Sequence, residues 1–262
     1  MLLHFSKYHG TGNDFILIDN RLQQWAPAFE EVAFLCDRHF GIGADGLMLL
    51  SEDENVAFRM TYYNCDGRES TLCGNGGRCI SAFARKLGLT GDFVRFRAVD
   101  GEHIAEILGE EKNAILIRLK MLDTQIDQQF QDGILINTGS PHFVQFVTDA
   151  SLTEVITKGR SLRHDPRFSP RGANIDFAEV RKDAVFVRTY ERGVENETLS
   201  CGTGVTATAL AASFMGHVAP GPVHIKTLGG KLKVSFRQSG QSFSEIWLEG
   251  TATLVFEGKI EI

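Results

Sequence analysis

Glu69-Ser-Thr-Leu-Cys-Gly-Asn-Gly-Gly-Arg78 is the segment around which the rest of the chain is organised, and a second segment, Glu197-Thr-Leu-Ser-Cys-Gly-Thr-Gly-Val205, has the same form. In each stretch one cysteine stands directly before a glycine-rich turn, and an apolar run at helical spacing follows. Cys73 and Cys201 are therefore predicted at or near helix N-termini, where a thiolate is favoured. Because 128 residues separate them, a local metal clip or a C-x-x-C redox pair is not the expected arrangement. The fold has to bring the two cysteines together.

The second half of the chain repeats the landmarks of the first half at an offset of 127 to 129 residues. The corresponding residues are Thr11-Gly12 and Thr138-Gly139, Gly43-Ala44 and Gly172-Ala173, Tyr62 and Tyr190, Glu69 and Glu197, Gly74 and Gly202, Gly76 and Gly204, Gly88 and Gly216, Gly101 and Gly230. Any one pair could arise by chance, but together they predict two similarly folded lobes, each made of strands around one helix. The polar segment 123–132 is the predicted junction.

Three helices are predicted from apolar spacing. Residues 75–87 should form the helix after Cys73, and Gly88 fits a left-handed C-cap. The corresponding helix, 203–215, contains no charged residue, so it should be enclosed by its sheet. A further amphipathic helix is predicted over 27–39, with Gly41 as its stop signal.

Composition narrows the class of protein. A chain of 262 residues with 43% hydrophobic and 23% charged residues has the makeup of an ordinary globular protein with one large core or two domains. The net charge of −6 comes without a basic run, so neither nucleic acid nor an anionic membrane is indicated as a partner, and a small molecule fits better. No signal peptide or membrane-length apolar run is recognisable, which makes the cytoplasm the expected location. The odd number of cysteines, five, favours free thiols over a disulfide framework.

Two thiols at helix N-termini, facing one cleft from two lobes, would suit inversion at a carbon centre. One thiolate would remove a proton from the carbon, and the other thiol would deliver a proton to the opposite face. The first backbone N–H groups of both helices could hold a carboxylate next to the reacting carbon. An amino acid is the natural substrate class, and this scheme requires neither a cofactor nor a metal.

The ordered motifs of the chain resemble those of the diaminopimelate epimerase family, over essentially the whole length. They are His9-Gly-Thr-Gly-Asn-Asp-Phe15, Gly41-Ile-Gly-Ala-Asp-Gly46, Asn64 with Asp66-Gly67, Cys73-Gly-Asn-Gly-Gly-Arg78, Pro141-His142, Tyr190-Glu-Arg-Gly193 and Cys201-Gly-Thr-Gly204. The resemblance implies a cofactor-independent homodimer that interconverts LL- and meso-diaminopimelate in lysine and peptidoglycan biosynthesis. It also implies an α+β fold of two pseudo-symmetric lobes, each a mostly antiparallel sheet wrapped around a central helix. The last strand would return to the first lobe, giving domains of 1–122 plus 250–262 and of 123–249.

The resemblance also implies roles for single residues. Cys73 and Cys201 match the catalytic acid/base thiols, and His142 and Glu191 match residues that tune them. The residues matching substrate-binding positions are Asn13, Asn64, Gly74, Asn75, Asn174, Glu191, Arg192, Gly202 and Thr203. The chain departs from the family where Ser140 stands in place of an asparagine before Pro-His, and Gly46 in place of a glutamine found in some relatives, so we assign no substrate contact at Gly46.

Simpler interpretations of these residues stay open. A cysteine before a helix is more often a small core residue than a catalyst, and Cys36 and Cys79 are predicted in the core, with Cys65 in a loop. His142 could be a structural histidine, Glu191 and Arg192 a surface pair, and the asparagines turn formers.

Other classes of function remain as alternatives. A thiol-based redox or zinc protein using Cys65, Cys73 and Cys79 has sequence spacings that fit no standard zinc site. A racemase of proline or hydroxyproline is nearer by fold, as is a cofactor-free isomerase that lacks the two thiols.

Overall fold

The computed structural model describes all 262 residues, Met1–Ile262, which form two compact units. The first unit comprises Met1–Leu119 and Gly250–Ile262, and the second comprises Lys120–Glu249. The sequence predicts these boundaries at 122/123 and 249/250. No helix is both long and apolar enough to cross a membrane.

The first unit is a closed sheet around one helix. Its elements are β1 (Leu2–Gly10), β2 (Asn13–Asp19), α1 (Phe29–Cys36), β3 (Gly46–Ser51), β4 (Phe58–Asn64), β5 (Glu69–Ser70), α2 (Gly74–Lys86), β6 (Phe93–Ala98), β7 (Gly101–Glu111) and β8 (Ala114–Lys120). The last strand of the chain, β17 (Ser242–Glu261), pairs with β1 and β8 and closes the ring. Two neighbours are parallel, β2 with β3 and β4 with β6, and the other pairs are antiparallel.

The second unit repeats this topology. Its elements are β9 (Thr124–Phe130), β10 (Gly133–Asn137), β11 (Pro141–Phe146), α3 (Val155–Arg163), a 3-10 turn (Pro166–Phe168), β12 (Asn174–Val180), β13 (Val185–Glu191), β14 (Asn196–Thr198), α4 (Gly202–Phe214), β15 (Val223–Thr227) and β16 (Gly230–Ser239). The first part of β17 pairs with β16 and β9 and closes this ring. Again two pairs are parallel, β11 with β12 and β13 with β15. The predicted fold class, with its internal pseudo-symmetry, is confirmed.

The enclosed helices differ in how their sequences achieve burial. Every residue of α4 from Val205 to Ser213 is buried, as its lack of charge predicted. Helix α2 is buried over residues 74–84 although it contains Arg78, and its first charged residue outside that range is Arg85. Gly88 follows α2 in the left-handed region, with a φ of 73°, as a helix-ending glycine requires.

One helical prediction needs correction, and one helix of the structure was not predicted. The helix predicted over 27–39 covers only Phe29–Cys36, because the Asp37 side chain accepts hydrogen bonds from the backbone N–H groups of His39 and Phe40 and turns the chain before Gly41. Each unit also has a second helix outside its sheet. Helix α1 packs in a core with β1, β2 and β3, whereas α3, which packs with β11, β12 and β13, was not predicted.

Candidate active site

Cys73 is the N-cap residue of α2, with extended backbone angles (φ −96°, ψ 133°). The helix therefore begins at Gly74 and Asn75, whose backbone N–H groups belong to the first turn and have no intrahelical acceptor. Cys201 is the N-cap residue of α4 in the same conformation (φ −112°, ψ 116°), and Gly202 and Thr203 follow it. The prediction that both thiols lie at helix N-termini is confirmed.

The side chain of Asn13 links Cys73 to a carboxylate. Asn13 Nδ2 donates to Asp45 Oδ2 at 2.7 Å, and since a carboxylate can only accept, the amide oxygen must point the other way. That oxygen accepts from Cys73 Sγ at 3.5 Å and from Asn75 Nδ2 at 3.2 Å. The structure thus brings three of the predicted site residues together at the start of α2.

Arg78 lies beneath this cluster and is fully buried. Its guanidinium donates to Asn75 Oδ1 at 2.8 Å and to the carbonyl of Gly74 at 3.1 Å, while its Nε has no hydrogen-bond partner. Burial lowers the pKa of Arg78, and the nearby thiols Cys79 and Cys73 oppose this shift. The sequence assigns Arg78 no role beyond its place in the motif after Cys73, whereas in the structure its hydrogen bonds fix the first turn of α2.

In the second unit, polar contacts lead from Cys201 into the core. Cys201 Sγ lies 3.3 Å from Thr203 Oγ1, which lies 2.9 Å from His142 Nε2. His142 Nδ1 in turn lies 2.7 Å from Asp176 Oδ2, and both of these side chains are fully buried. Sequence reasoning missed Asp176. The sequence does contain a signal for it: Asp176 follows Asn174 by two positions, so the two side chains lie on the same face of a strand, and the residues on either side of Asp176 are apolar.

Burial raises the pKa of Cys201 well above its usual range, and the negative charges of Glu191 and Asp176 add to that effect. The side-chain hydrogen bond between Cys201 and Thr203 and the backbone hydrogen bond of Gly204 act in the opposite direction but do not outweigh burial. Two thiols at helix N-termini predict a thiolate for one member of the cysteine pair. The burial and the negative charges around Cys201 act against the thiolate form at that position.

Asn174, Ser140 and Arg192 form a second cluster at the ends of β12 and β13. Asn174 Nδ2 donates to Ser140 Oγ and to the carbonyl of Pro141, each at 2.9 Å, and Asn174 Oδ1 accepts from the backbone N–H of Arg192 at 2.8 Å. The Arg192 side chain donates to Ser140 Oγ at 3.1 Å. Burial lowers the pKa of Arg192, and the charges of Arg163 and Arg171 add to this. Ser140 therefore joins two predicted substrate-binding residues.

The remaining residues singled out in the sequence lie at strand ends, in the core or, for Cys65, in a turn. Asn64 ends β4, and its backbone carbonyl accepts from the N–H of Gly67 in the turn that follows. Glu191 ends β13, near enough for its charge to act on Cys201. Cys36 and Cys79 are buried free thiols, as predicted, and Cys65 is an exposed free thiol in the turn after β4.

The three thiols of the zinc alternative do not form a metal-binding group. No cluster of three or more His, Cys, Asp or Glu side chains in the structure could hold a metal ion.

The fold is shared with solved structures of PhzF-family proteins and of amino-acid racemases and epimerases. The structure superimposes on a Bacillus anthracis phenazine biosynthesis protein of the PhzF family with a TM-score of 0.78 and 15% identity, covering 100% of both chains. It superimposes on a probable proline racemase from Agrobacterium radiobacter K84 with a TM-score of 0.75 and 14% identity, covering 99% of this chain and 92% of that one. At these identities the similarity establishes the fold alone.

Sequence similarity is much closer to one family. The diaminopimelate epimerase family model matches residues 5–122 and 134–255. A diaminopimelate epimerase of Flavobacterium psychrophilum is 46% identical over 256 residues, which cover 97% of this chain and 98% of the relative. The chain belongs to the diaminopimelate epimerase family.

Proposed function

We propose that this protein is an isomerase that interconverts LL- and meso-2,6-diaminopimelate by inverting one α-carbon. Membership of the family supports the substrate, and one observation supports the chemistry: a closed sheet used twice in one chain presents a cysteine at the same N-cap position both times. A reaction that removes a proton from one face of a carbon and adds one to the other needs two such groups.

The proposed mechanism uses the two thiols in alternation. With LL-diaminopimelate, one cysteine as thiolate takes the α-proton, and the other as thiol gives its proton to the opposite face of the carbon. In the reverse direction the two roles are exchanged, and the protons of the pair are coupled. The proton balance closes within the protein, without a cofactor or a metal.

The helix N-termini are proposed to hold the carboxylate beside the reacting carbon. Backbone N–H groups of Gly74, Asn75, Gly202 and Thr203 have no acceptor within their helices, and they would stabilise the negative charge that develops as the proton leaves. Asn13, through the fixed direction of its amide, would orient the same end of the substrate, whereas Asn64 is grouped with Arg192 and Asn174 as a residue that favours a long substrate with charges at both ends.

The distal end of the substrate is assigned to the cluster around Arg192. A guanidinium binds a carboxylate through two parallel hydrogen bonds. Asn174 and Ser140 form hydrogen bonds with Arg192, and Glu191 directly precedes Arg192 in the chain. Glu191 is proposed to bind the substrate as well as to affect Cys201. A compact ring such as proline has no distal groups of this kind, which favours diaminopimelate over the proline-racemase alternative.

Deuterium incorporation tests the proposal directly. Incubation with LL-diaminopimelate in deuterated water should yield meso product that carries solvent deuterium at the inverted α-carbon, detected by mass spectrometry. L-proline and trans-4-hydroxy-L-proline serve as comparison substrates and should not exchange. Absence of deuterium from diaminopimelate, with the protein shown to be folded, would reject the function.

Two variants test the division of roles between the thiols. Cys73→Ala and Cys201→Ala should each abolish epimerisation, whereas Cys65→Ala, which removes an exposed thiol, should leave it unchanged. Full turnover by either of the first two variants would contradict a two-base mechanism.

Cytoplasmic location and a homodimer are further parts of the proposal, supported by the family resemblance. Light scattering coupled to gel filtration would measure the mass in solution, and a monomer would reject the second of these.

A further inference from the structure

We infer that Asp176 is a positioning residue, which holds His142 in the tautomer that exchanges a proton with Cys201 through the hydroxyl group of Thr203. The inference rests on the proposed function, because it describes how one of the two proposed acid/base thiols gains and loses its proton. It adds a residue, Asp176, and a route, the Thr203 hydroxyl, to the assignment of His142 as a residue that tunes the thiols.

The carboxylate of Asp176 fixes the protonation of the imidazole ring. Its Oδ2 lies 2.7 Å from His142 Nδ1, and its Oδ1 accepts a hydrogen bond from Thr189 Oγ1, also at 2.7 Å. A carboxylate can only accept, so Nδ1 carries a hydrogen and the lone pair of the neutral ring is on Nε2. Both side chains are fully buried, so no water competes for this bond.

The lone pair on Nε2 has one available donor. Asn174 Nδ2 lies 3.3 Å away, but its two hydrogens are directed to Ser140 Oγ and to the Pro141 carbonyl. Thr203 Oγ1, at 2.9 Å, therefore donates to Nε2. Its oxygen can then accept the hydrogen of the Cys201 thiol, since the two atoms are 3.3 Å apart. The hydrogen bonds run in one direction, from sulfur to imidazole.

The proton transfer balances along this chain. The proton on Cys201 Sγ moves to Thr203 Oγ1 while the hydroxyl proton of Thr203 moves to His142 Nε2. The result is a thiolate, an unchanged threonine and an imidazolium ion next to the Asp176 carboxylate. The reverse transfer restores the thiol.

The first unit has no equivalent of this chain, although it has the same fold. A Cβ added at Gly204 in α4 would lie 2.6 Å from Asp176 Oδ1 and 3.2 Å from His142 Cε1. A Cβ added at the corresponding Gly76 in α2 would instead meet Met48 Cε at 2.1 Å and Phe15 Cζ at 3.6 Å. Apolar side chains thus occupy in the first unit the places that the acid and the base occupy in the second, so the relay serves Cys201 alone.

The charges around Cys201 allow a decisive test, because the two possible roles of Asp176 predict opposite results when it is removed. Within the second unit, the groups that face it are Asp176 on β12, His142 on β11 and Glu191 on β13, and α4 contains no charged residue. As a bare negative charge, Asp176 raises the pKa of Cys201, so its removal should increase the thiolate fraction. If Asp176 instead supports the imidazolium that receives the proton, its removal should decrease that fraction.

The Asp176→Asn variant separates these two effects. The carboxamide can accept from Thr189 with its oxygen and donate to His142 Nδ1 with its nitrogen, which would shift the ring hydrogen to Nε2 and close the route. Alkylation by iodoacetamide, followed by mass spectrometry for each cysteine peptide between pH 6 and 9, measures the thiolate without any substrate. We expect the rate at Cys201 to fall about tenfold or more at neutral pH, one pKa unit being a tenfold change, with Cys73 unchanged as an internal control.

A matched variant and a spectroscopic readout complete the test. Met48→Leu alters the corresponding position of the first unit and should leave the rate at Cys201 unchanged. In ¹⁵N-histidine-labelled protein, the His142 nitrogen shifts should report the Nδ1–H tautomer, and in Asp176→Asn the Nε2–H tautomer. A rise in Cys201 alkylation in Asp176→Asn, or no change of tautomer, would overturn the inference.

Substitution of Thr203 provides an independent test, should Asp176→Asn fail to fold. Thr203→Val removes the hydroxyl and should slow Cys201 alkylation about as much, whereas Thr203→Ser keeps the hydroxyl and should restore the rate. Equal rates in the two Thr203 variants would also overturn the inference. None of these measurements needs diaminopimelate, so failure of the proposed function would be seen separately in the deuterium experiment.

Discussion

Asp45 accepts a hydrogen bond from the side-chain amide of Asn13, with 2.7 Å between Asp45 Oδ2 and Asn13 Nδ2. The bond determines which way the amide faces, because the opposite orientation would bring two oxygens together. It thereby directs Asn13 Oδ1 to the thiol of Cys73 and to Asn75. A residue outside the predicted site controls the direction of a residue inside it.

Replacing Asp45 should therefore reduce turnover. In Asp45→Asn the new amide can accept or donate, so Asn13 loses its fixed direction, and we expect kcat to fall between about tenfold and hundredfold, as for other small misplacements at an active site. Glu102→Gln, which alters an exposed ion pair with Arg95, is the control and should retain full activity. Unchanged kcat in Asp45→Asn would show that Asn13 is oriented by other contacts.

Arg78→Met should reduce activity while changing stability little. Replacing a buried charge by an apolar side chain of similar length costs little and can even stabilise, particularly since Nε of Arg78 has no partner. Asn75 and the Gly74 carbonyl, however, lose the donors that fix the first turn of α2. We expect the unfolding free energy from urea titration to change by no more than about 1 kcal/mol, with kcat/KM reduced at least about tenfold. A variant that is as active as the parent would contradict this role for Arg78.

Gly204→Ala should be more harmful than Gly76→Ala. At Gly76 the added methyl group meets the flexible end of Met48, whereas at Gly204 it meets Asp176 Oδ1 and Thr189 Oγ1 in a buried hydrogen-bonded cluster. Overpacking typically costs about 1–3 kcal/mol, and broken buried hydrogen bonds add to that. Thermal and urea unfolding should show Gly204→Ala to be less stable than Gly76→Ala by roughly 2 kcal/mol. Equal losses would mean that the buried acid and base can move aside.

Acid should weaken the first unit through Asp14. Burial raises the pKa of Asp14, but hydrogen bonds and charges from Arg38 and Lys7 outweigh it and lower the pKa to about 2 from the model-peptide value of 3.8. A depressed pKa means that the stabilisation is complete above about pH 4 and is lost as the pH falls toward 2. It amounts to on the order of 2 kcal/mol.

Urea unfolding of the parent and of Asp14→Asn at several pH values would measure this effect. The difference between their unfolding free energies should shrink as the pH falls from 5 to 2.5. A difference that stays constant over this range would contradict the predicted contribution of Asp14.

Some of this structure could be predicted because the sequence itself determines it. A cysteine before glycine and an apolar helical run predicts an N-cap thiol, and the absence of charge in α4 predicts its enclosure. The repeated landmarks predict the shared topology, because two copies of one pattern bury their apolar faces in the same way.

Other features depend on contacts between distant parts of the chain. Helix α3 contains Gly159, a poor helix former, and a Cβ there would lie 2.4 Å from Tyr190 Cβ; close packing, not helical propensity, selected the glycine. Asp176 was missed for a similar reason. It lies in a strand of buried apolar residues, and only the fold shows that His142, 34 positions earlier, makes its charge tolerable.

Strand β17 has a consequence for the order in which the chain can fold during synthesis. Its residues 250–262 belong to the first unit, whereas everything between Lys120 and Glu249 belongs to the second. Strands β1 and β8 therefore lack their common partner and keep exposed edges until the ribosome has made all of the second unit. The part of the molecule that is translated first is completed last, and Cys73 should acquire its final surroundings only after those of Cys201 have been synthesised.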